Sequence, residues 1–535
     1  MTAVVVCAAA LVCAFAAPVV DGAARGDSRP DIARFRARVE TILAEASANR
    51  AYWGILVADR DTGQTLYSLN ADHFFTPASN AKLITTALAL AELGPDYRFR
   101  TTLESNGALG TDGRLSGDLI LVGRGDPDLS NRIFPFAGEF ARQGPMDKVF
   151  SDIVDAAVAK GLREVDGDIV ADDSYFPYDP YPAGWSVGDL FFDFGAPVSA
   201  ITFNDNVVSI LIEPGVRAGE PAVITTQPEA SLQTLAHSIT TSVPGGMPQI
   251  AVVRQPGANF LLLRGTIPSG HAPVKLDLAM IAPAETAART LKELLEKCGV
   301  RVTGGIRVQH SPPPETTAAG EPVLPALRPT FETRRLVLAE HMSPPLSQSV
   351  ELTNKISQNL HAEVFLRTVG LEKLGLASTA AGLKVERGFL RSAGIPDGDV
   401  ILTDGSGLSR DDLVTPRAMV DLLRFVSHAP WARDFLKSLP VSGVNGTLND
   451  RMRNSPAKGL IQAKTGTTER VHALTGYATT VRGEHLVFSI FCNNDAQRGA
   501  YATKPLDEIV TAMVETLGPV AAPRRPARPT PGDKQ

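Results

Sequence analysis

The sequence predicts an α+β fold: an antiparallel sheet flanked by helices and split by a long strand-rich insert. Three observations predict it. Residues 77–93, with Leu83, Ile84, Ala87, Leu88, Leu90 and Ala91, form a helical run that is apolar on nearly all sides and stops at Gly94-Pro95. Such a helix belongs in the middle of a domain. Strand-like stretches lie far apart, at 53–60 and 64–70 around the turn Asp61-Thr62-Gly63, and again at 459–464, 472–481 and 484–493. Between about 98 and 330 the texture changes to short strands and Gly/Asp turns, such as Gly117 to Val122, Gly125-Asp126-Pro127 and Val165 to Val170, with a helix at 284–298.

The chain divides accordingly. Residues 3–20 are small and apolar, with Ala14-Phe15-Ala16 as one cleavage site and the run Val20 to Ala24 as another, so residues 1–24 read as a secretory signal peptide. No Lys or Arg precedes the run, and an uncleaved anchor is the alternative. Residues 30–97 form the first part of a catalytic domain: an amphipathic helix at 31–48, a hairpin, and the central helix with Thr76 as N-cap and Pro77 in its first turn. These elements have too few partners alone. Residues 331–518 supply them, with a strand at 336–338, helices from 343 to 369, at 378–393 and at 416–427, the three late strands, and a last helix at 504–517. Residues 98–330 are then an insert of two subdomains, the inner one at roughly 206–270, and six prolines within 311–330 mark its end. The Pro/Arg-rich stretch 519–535 reads as a disordered tail without amphipathic pattern. No stable membrane anchor is expected.

With a formal net charge of −6 and no basic stretch interleaved with aromatics, nucleic acid is excluded as a partner class. The nine histidines form no H-E-x-x-H pattern and no Cys/His cluster suggests zinc. Of four cysteines, Cys7 and Cys13 lie in the signal. Cys298 and Cys492, at a helix end and in an apolar strand, are expected to be two separate buried thiols.

Chemistry begins at the central helix. Ser79 and Lys82 sit three residues apart, hence on one face. A serine hydroxyl needs a base to become a nucleophile. Lysine serves if burial or a second cation disfavours its ammonium form. The spacing alone is weak: Ser455-Pro456-Ala457-Lys458 repeats it and reads as loop. Lys464-Thr465-Gly466-Thr467, at the end of a predicted strand, offers a cation and hydroxyls suited to a carboxylate, with a glycine that permits close approach. Ser357-Gln358-Asn359 lies in a run of helices, and Ser47-Ala48-Asn49 and Ser68-Leu69-Asn70 match its pattern equally. Together and in this order, S-x-x-K, S-x-N and K-T-G are the signature of penicillin-recognising serine enzymes. The long gap between the first two contains the insert.

On these residues the chain resembles the class C low-molecular-mass penicillin-binding proteins, the D-alanyl-D-alanine carboxypeptidase/endopeptidases. The resemblance spans roughly residues 50–510. It includes Gly125-Asp126-Pro127, Gly184-Trp185 with Asp189, Ala196 to Ala200, Asn354-Lys355, Asp404 to Arg410, Gly446-Thr447-Leu448 and Gly476-Tyr477. It implies a β-lactamase/transpeptidase-like catalytic domain split by an insert, with a further small domain nested inside. Gln358 stands where the family commonly has Asp. Carried over, the resemblance implies Ser79 as acylated nucleophile, Lys82 as its base, Ser357 as proton relay to the leaving D-alanine and Asn359 as holder of the substrate amide. It implies that Lys464 keeps Lys82 neutral and, with Thr465, Gly466 and Thr467, receives the terminal carboxylate. The resemblance further implies an oxyanion hole formed by the backbone N–H groups of Ser79 and Thr467. Asp189 and Arg410 would face the cleft and grip the zwitterionic end of a substrate side chain, or else brace a turn and a loop.

The expected function is an exported serine D,D-peptidase, periplasmic or otherwise outside the membrane, acting on peptidoglycan stem peptides and acylated by β-lactams. No metal or organic cofactor is implied. A β-lactamase-like hydrolase is one alternative, though no E-x-x-L-N pattern occurs between 360 and 460. A non-catalytic wall-binding or β-lactam-sensing protein is the other. Four further positions read as structural: Ser406 as a turn, Asp126 and Asp128 as a turn without a cation, and Trp185 as packing. Lys355 reads equally as a contributor to the site's charge or as a brace.

Overall fold

A computed structural model describes residues 29–228, 234–254, 260–317, 321–325, 335–497 and 500–518. The expected signal peptide at 1–24, with Cys7 and Cys13, and the tail at 519–535 lie outside the described residues. Among the described residues no helix is long and apolar enough to cross a membrane.

The architecture is α+β. One five-stranded antiparallel sheet runs in the order Ile461–Thr468, Val471–Thr479, His485–Asn493, Tyr52–Asp59, Thr65–Leu69. The central strand His485–Asn493 and its neighbour Tyr52–Asp59 come from opposite ends of the chain, with Trp53 paired to Cys492 and Ile55 to Ile490. Alternation along a strand sends successive side chains to opposite faces. Trp53, Ile55 and Val57 therefore pack against the helices Pro30–Ala44 and Ala500–Thr516, with Phe35, Val39, Ile509 and Met513 in that core. Leu56 and Ala58 face the larger core on the other side, around the helix Ala81–Glu92 and the helices Leu346–Ile356, Asn359–Leu374, Thr379–Ser392 and Pro416–Val426. Ten residues of Ala81–Glu92 are buried, as expected of a helix with no polar side.

Local structure departs from the sequence reading in ways that matter for the site. The central helix begins at Ala81, not at 77, and neither Thr76 nor any other side chain caps it. Ala78 takes a left-handed φ of 48°, and Ala78–Asn80 is a 3-10 turn. The helices from 343 to 369 are two, Leu346–Ile356 and Asn359–Leu374, broken at Ser357, which sits at φ 64°. Gln358 caps the second by accepting from the Leu360 N–H at 3.1 Å. Lys464 lies inside the strand Ile461–Thr468, not at its end.

The chain departs from this domain along Arg100–Ser105 and re-enters along Leu336–Met342. These are antiparallel neighbours, with Leu336 opposite Ser105 and Met342 opposite Arg100. They close one edge of a five-stranded sheet whose other members are Leu119–Val122, Ile169–Pro177 and Ile306–Ser311. Two helices, Lys148–Ala159 and Pro283–Lys297, share its core. The first was missed because it lies among turn-rich sequence. Two three-stranded sheets are nested further in: Val223–Gln227, Val207–Glu213 and Val274–Ala279 form one, and Thr234–Ser242, Phe260–Pro268 and Gln249–Arg254 the other.

The insert is bolted to the catalytic part by buried polar contacts. Ser349 donates to Asp128 at 2.5 Å, the buried His361 lies 3.4 Å from the Asp205 carboxylate, which Arg132 of the insert holds at 2.5 Å, and Arg367 donates to the Asp179 carbonyl at 2.6 Å. Burial raises Asp126 and Asp128 to about 7. Among the described residues no group of His, Cys, Asp or Glu is arranged to hold a metal ion. Cys298 and Cys492 are both free thiols, but Cys298 is exposed, not buried, because the helix Pro283–Lys297 ends there at the surface.

Candidate active site

Three elements converge on Ser79. The 3-10 turn carries Ser79 and delivers Lys82 from the first turn of the helix behind it. The strand Ile461–Thr468 passes so close that a Cβ on Gly466 would lie 2.6 Å from the Pro77 carbonyl oxygen. The loop from Asp404 closes the third side, where Gly407 (φ 76°) would place a Cβ 1.9 Å from the Ala78 carbonyl oxygen. Only glycine fits either position without displacing the nucleophile's turn.

Lys82 is fully buried and its Nζ lies 2.9 Å from Ser79 Oγ. It donates to Asn359 Oδ1 at 2.5 Å and to the Ser406 carbonyl at 2.6 Å. A neutral amine has two N–H bonds and one lone pair, so these two acceptors use both hydrogens and leave the lone pair for the serine. Burial lowers the Lys82 pKa to about 7, against the opposing pull of Asp404, Glu363 and Asp412. That pull is weakened because burial also raises Glu363 to about 8 and Asp412 well above the carboxylate range. The Glu363 carboxyl instead accepts from the Gly405 N–H.

Lys464, also buried, donates to Ser357 Oγ at 2.8 Å and to the Thr465 carbonyl at 2.9 Å. Its pKa falls well below the usual lysine value, through burial first and the nearby Lys82 second. Repulsion between two like charges is mutual, so the two lysines disfavour carrying ammonium together, with burial the larger cause at each. Thr465 Oγ donates to Thr447 Oγ at 2.8 Å. Lys355 braces the segment before Gly446, donating to the Leu439 carbonyl and to Asn445 Oδ1.

The resulting cleft has a volume of about 620 Å³, with Ser79, Ser357, Asn359, Thr465 and Thr467 in its lining. The insert forms one wall. Phe194 lines the cleft, and its carbonyl accepts from Asn359 Nδ2 at 2.7 Å. Trp185 is more than packing, because its indole N–H donates to Asp404 Oδ2 at 2.8 Å. Asp404 in turn accepts from the backbone of Ser406, Gly407 and Ser409, shaping the turn that presents the Ser406 carbonyl to Lys82. Ser406 thus contributes through its backbone. Asp189 and Arg410 also line the cleft and face each other at 3.7 Å. Burial raises Asp189 above the ordinary carboxylate value, Arg410 opposes this and Glu469 adds to it.

The structure therefore brings Ser79, Lys82, Ser357, Asn359, Lys464, Thr465, Gly466 and Thr467 together, and places Asp189 and Arg410 on the same cleft. The carbonyls of Ser406 and Phe194 were missed, since a backbone partner has no residue signature. Thr447 appeared only within a quoted stretch, and Arg451, a further lining residue, carried no signal.

Comparisons with known proteins agree with this geometry. A D-alanyl-D-alanine carboxypeptidase of an Actinomadura species is 33% identical over 91% of this chain and 86% of its own length. The D-alanyl-D-alanine carboxypeptidase DacB of Haemophilus influenzae is 26% identical over 82% of this chain and 85% of its own. The crystal structure of penicillin binding protein 4 from Haemophilus influenzae superimposes with a TM-score of 0.72 at 24% identity, covering 89% of this chain and 98% of that one, which bears out the expected fold. The family model described as D-Ala-D-Ala carboxypeptidase 3 (S13) matches residues 35–513, and the chain belongs to that family of serine D,D-peptidases.

Proposed function

We propose that the protein is exported and hydrolyses D,D-peptide bonds of peptidoglycan stem peptides through an ester on Ser79. The single observation that carries the residue roles is the pair of buried lysines, each bonded to one serine: Lys82 to Ser79 and Lys464 to Ser357. Ser79 Oγ attacks the carbonyl carbon of the penultimate D-alanine and gives its proton to Lys82. The carbonyl oxygen takes the charge, between the backbone N–H groups of Ser79 and Thr467; a donor of this kind is typically worth ~10²–10³ in rate. The C–N bond then breaks, and the leaving amine receives a proton by way of Ser357. Water attacks the ester, returning Ser79 and a free carboxylic acid.

The leaving residue's carboxylate is received by Lys464, Thr465 and Thr467. A carboxylate beside Lys464 adds an opposite charge and drives its pKa back up, so the ion pair forms as the substrate arrives. Asn359, already held by Lys82 and Phe194, keeps an amide hydrogen for the substrate backbone. Asp189 and Arg410 offer a carboxylate and a guanidinium to an ammonium and a carboxylate on one substrate carbon. A β-lactam mimics the dipeptide and acylates Ser79 in the same way; a second crystal structure of the Haemophilus influenzae penicillin binding protein 4 is described as complexed with a β-lactam.

Incubation of the purified protein with muropeptide monomers and D,D-cross-linked dimers, followed by mass analysis, tests the reading. Loss of one alanine from monomers, or conversion of dimers to monomers, is the expected result. Unchanged muropeptides together with rapid penicillin turnover would favour a β-lactamase instead.

A further inference from the structure

The cleft does not end at its threonines. Arg451 and Thr503 line the cavity around Ser79 and also line a second cavity of about 800 Å³. This second space lies between the helices Pro30–Ala44 and Ala500–Thr516 and the loop that follows Gly446–Leu448, with Thr41, Ile42, Met452 and Thr511 in its walls. Its size is within the roughly 300–1,000 Å³ of spaces that hold a small ligand. At the junction, Arg451 Nε and Nη2 bind the Asp507 carboxylate at 3.0 and 2.6 Å. The pairing is bidentate and fixes the guanidinium. Its Nη1 has no hydrogen-bond partner among the described residues, so donors remain on the wall that the two spaces share.

The junction adjoins the part of the cleft assigned to the leaving group. Thr447, four residues before Arg451, is bonded to Thr465, which belongs to the carboxylate-receiving set. Asp189 and Arg410 belong to a different wall, built from the insert and the loop from Asp404. We propose that the second cavity, entered over Arg451, receives the departing stem peptide of a D,D-cross-linked dimer. The proposal rests on the D,D-peptidase reading above.

The chemistry of the two substrates separates them. When a terminal D-alanine leaves, its carboxylate fills the threonine subsite and nothing extends further. When a cross-link is cut, the leaving amine belongs to a diamino acid. Its carboxylate takes the same subsite, but its methylene chain leads on to a second peptide bearing carboxylates and ammonium groups. That peptide needs room beyond Thr465 and Thr447, and a mixed-charge wall suits it. The second cavity offers Arg38 and Lys504 beside Glu45 and Glu508, with an arginine at the entrance for an anionic group.

Thr41→Trp and, separately, Thr511→Trp put an indole into the second cavity from its two helices. Thr41 is exposed, and neither residue lines the cleft. Three rates are measured on each variant: hydrolysis of a pentapeptide monomer, cleavage of a D,D-cross-linked dimer, and acylation by benzylpenicillin. At least a tenfold fall in kcat/KM for the dimer alone is expected, with monomer hydrolysis and acylation within twofold of wild type. Undiminished dimer cleavage in both variants, or equal loss on all three reactions in the exposed Thr41 variant, overturns the proposal. Wild-type protein that trims monomers but leaves dimers intact also overturns it. Failure on both monomers and dimers would instead refute the peptidase reading itself.

Discussion

Ser79 Oγ and Lys82 Nζ stand 2.9 Å apart while both other partners of the amine are acceptors, Asn359 Oδ1 and the Ser406 carbonyl. The neutral amine is thereby oriented to take the serine proton. Its pKa of about 7 sets the pH at which that form appears. Acylation by a penicillin should rise with pH on an acid limb with a midpoint near 7 and then level off. Lys82→Arg should lose about 10²–10⁴-fold, the usual contribution of a general base, because guanidinium keeps its proton. Ser79→Ala should abolish labelling by a fluorescent penicillin with an unchanged melting temperature. A flat profile from pH 5 to 9 that survives Lys82→Arg would remove lysine from the mechanism.

The same burial has a cost in stability. A lysine whose pKa is lowered on folding penalises the folded state fully below the folded value, and the penalty fades as pH rises toward the unfolded value. For Lys82 the window runs from about 7 to the ordinary lysine value of 10.5. Lys82→Met should therefore be inactive yet more stable near neutral pH, by about 1–3 kcal/mol once lost hydrogen bonds are set against the removed charge. Denaturant melts of both proteins at pH 6.5 and 9.5 check this. The difference must shrink at the higher pH, and a wider gap there contradicts it.

Glycine is required at 466 and 407 because the nucleophile's turn lies against them. Gly407→Ala combines a left-handed φ with a Cβ inside contact distance of the Ala78 carbonyl. It should cost roughly 1–3 kcal/mol in stability and slow acylation by more than the fold loss explains. Gly466→Ala, which has no φ penalty, should affect acylation more than stability. The two effects are separated by comparing penicillin acylation rates with urea midpoints.

Asp189 and Arg410 make a prediction about selectivity. Asp189→Ala and Arg410→Ala should each lower kcat/KM for peptides that carry a free ammonium and carboxylate on one side-chain carbon. Peptides without that group, and a penicillin with an apolar side chain, should be turned over or bound as by the wild type. Equal losses on every substrate would mean that the pair at 3.7 Å supports the wall of the cleft.

Much of this was legible in the sequence, and the reasons differ by element. Ser79, Lys82 and Lys464 were readable because three short motifs, S-x-x-K, S-x-N and K-T-G, occur together in a fixed order. The central helix was readable because burial on all sides leaves it without a polar stripe. Its start was misread, since Thr76-Pro77 looks like a helix opening whereas the site requires a left-handed Ala78 to turn Ser79 outward. The break at Ser357 was hidden in a continuous helical pattern, and only its left-handed φ shows that the serine leaves the helix there. The partners of Lys82 and Asn359 are carbonyls of Ser406 and Phe194. Backbone atoms are common to every residue, so only the fold can select them.

The pairing of Trp53 with Cys492 also governs how the protein can be made. A hairpin of Tyr52–Asp59 and Thr65–Leu69 is marginal by itself, and its next neighbour in the sheet is His485–Asn493. The helix Ala81–Glu92, with nothing to cover it, must wait for residues 346–426 and then for the late strands. Contacts between such distant parts of a chain form slowly and leave apolar surface open meanwhile. The insert, whose first and last strands pair with each other, can close as a unit before then and draw the two halves of the catalytic sheet together. A nascent chain that stops short of residue 461 should therefore hold a folded insert beside an unformed nucleophile site.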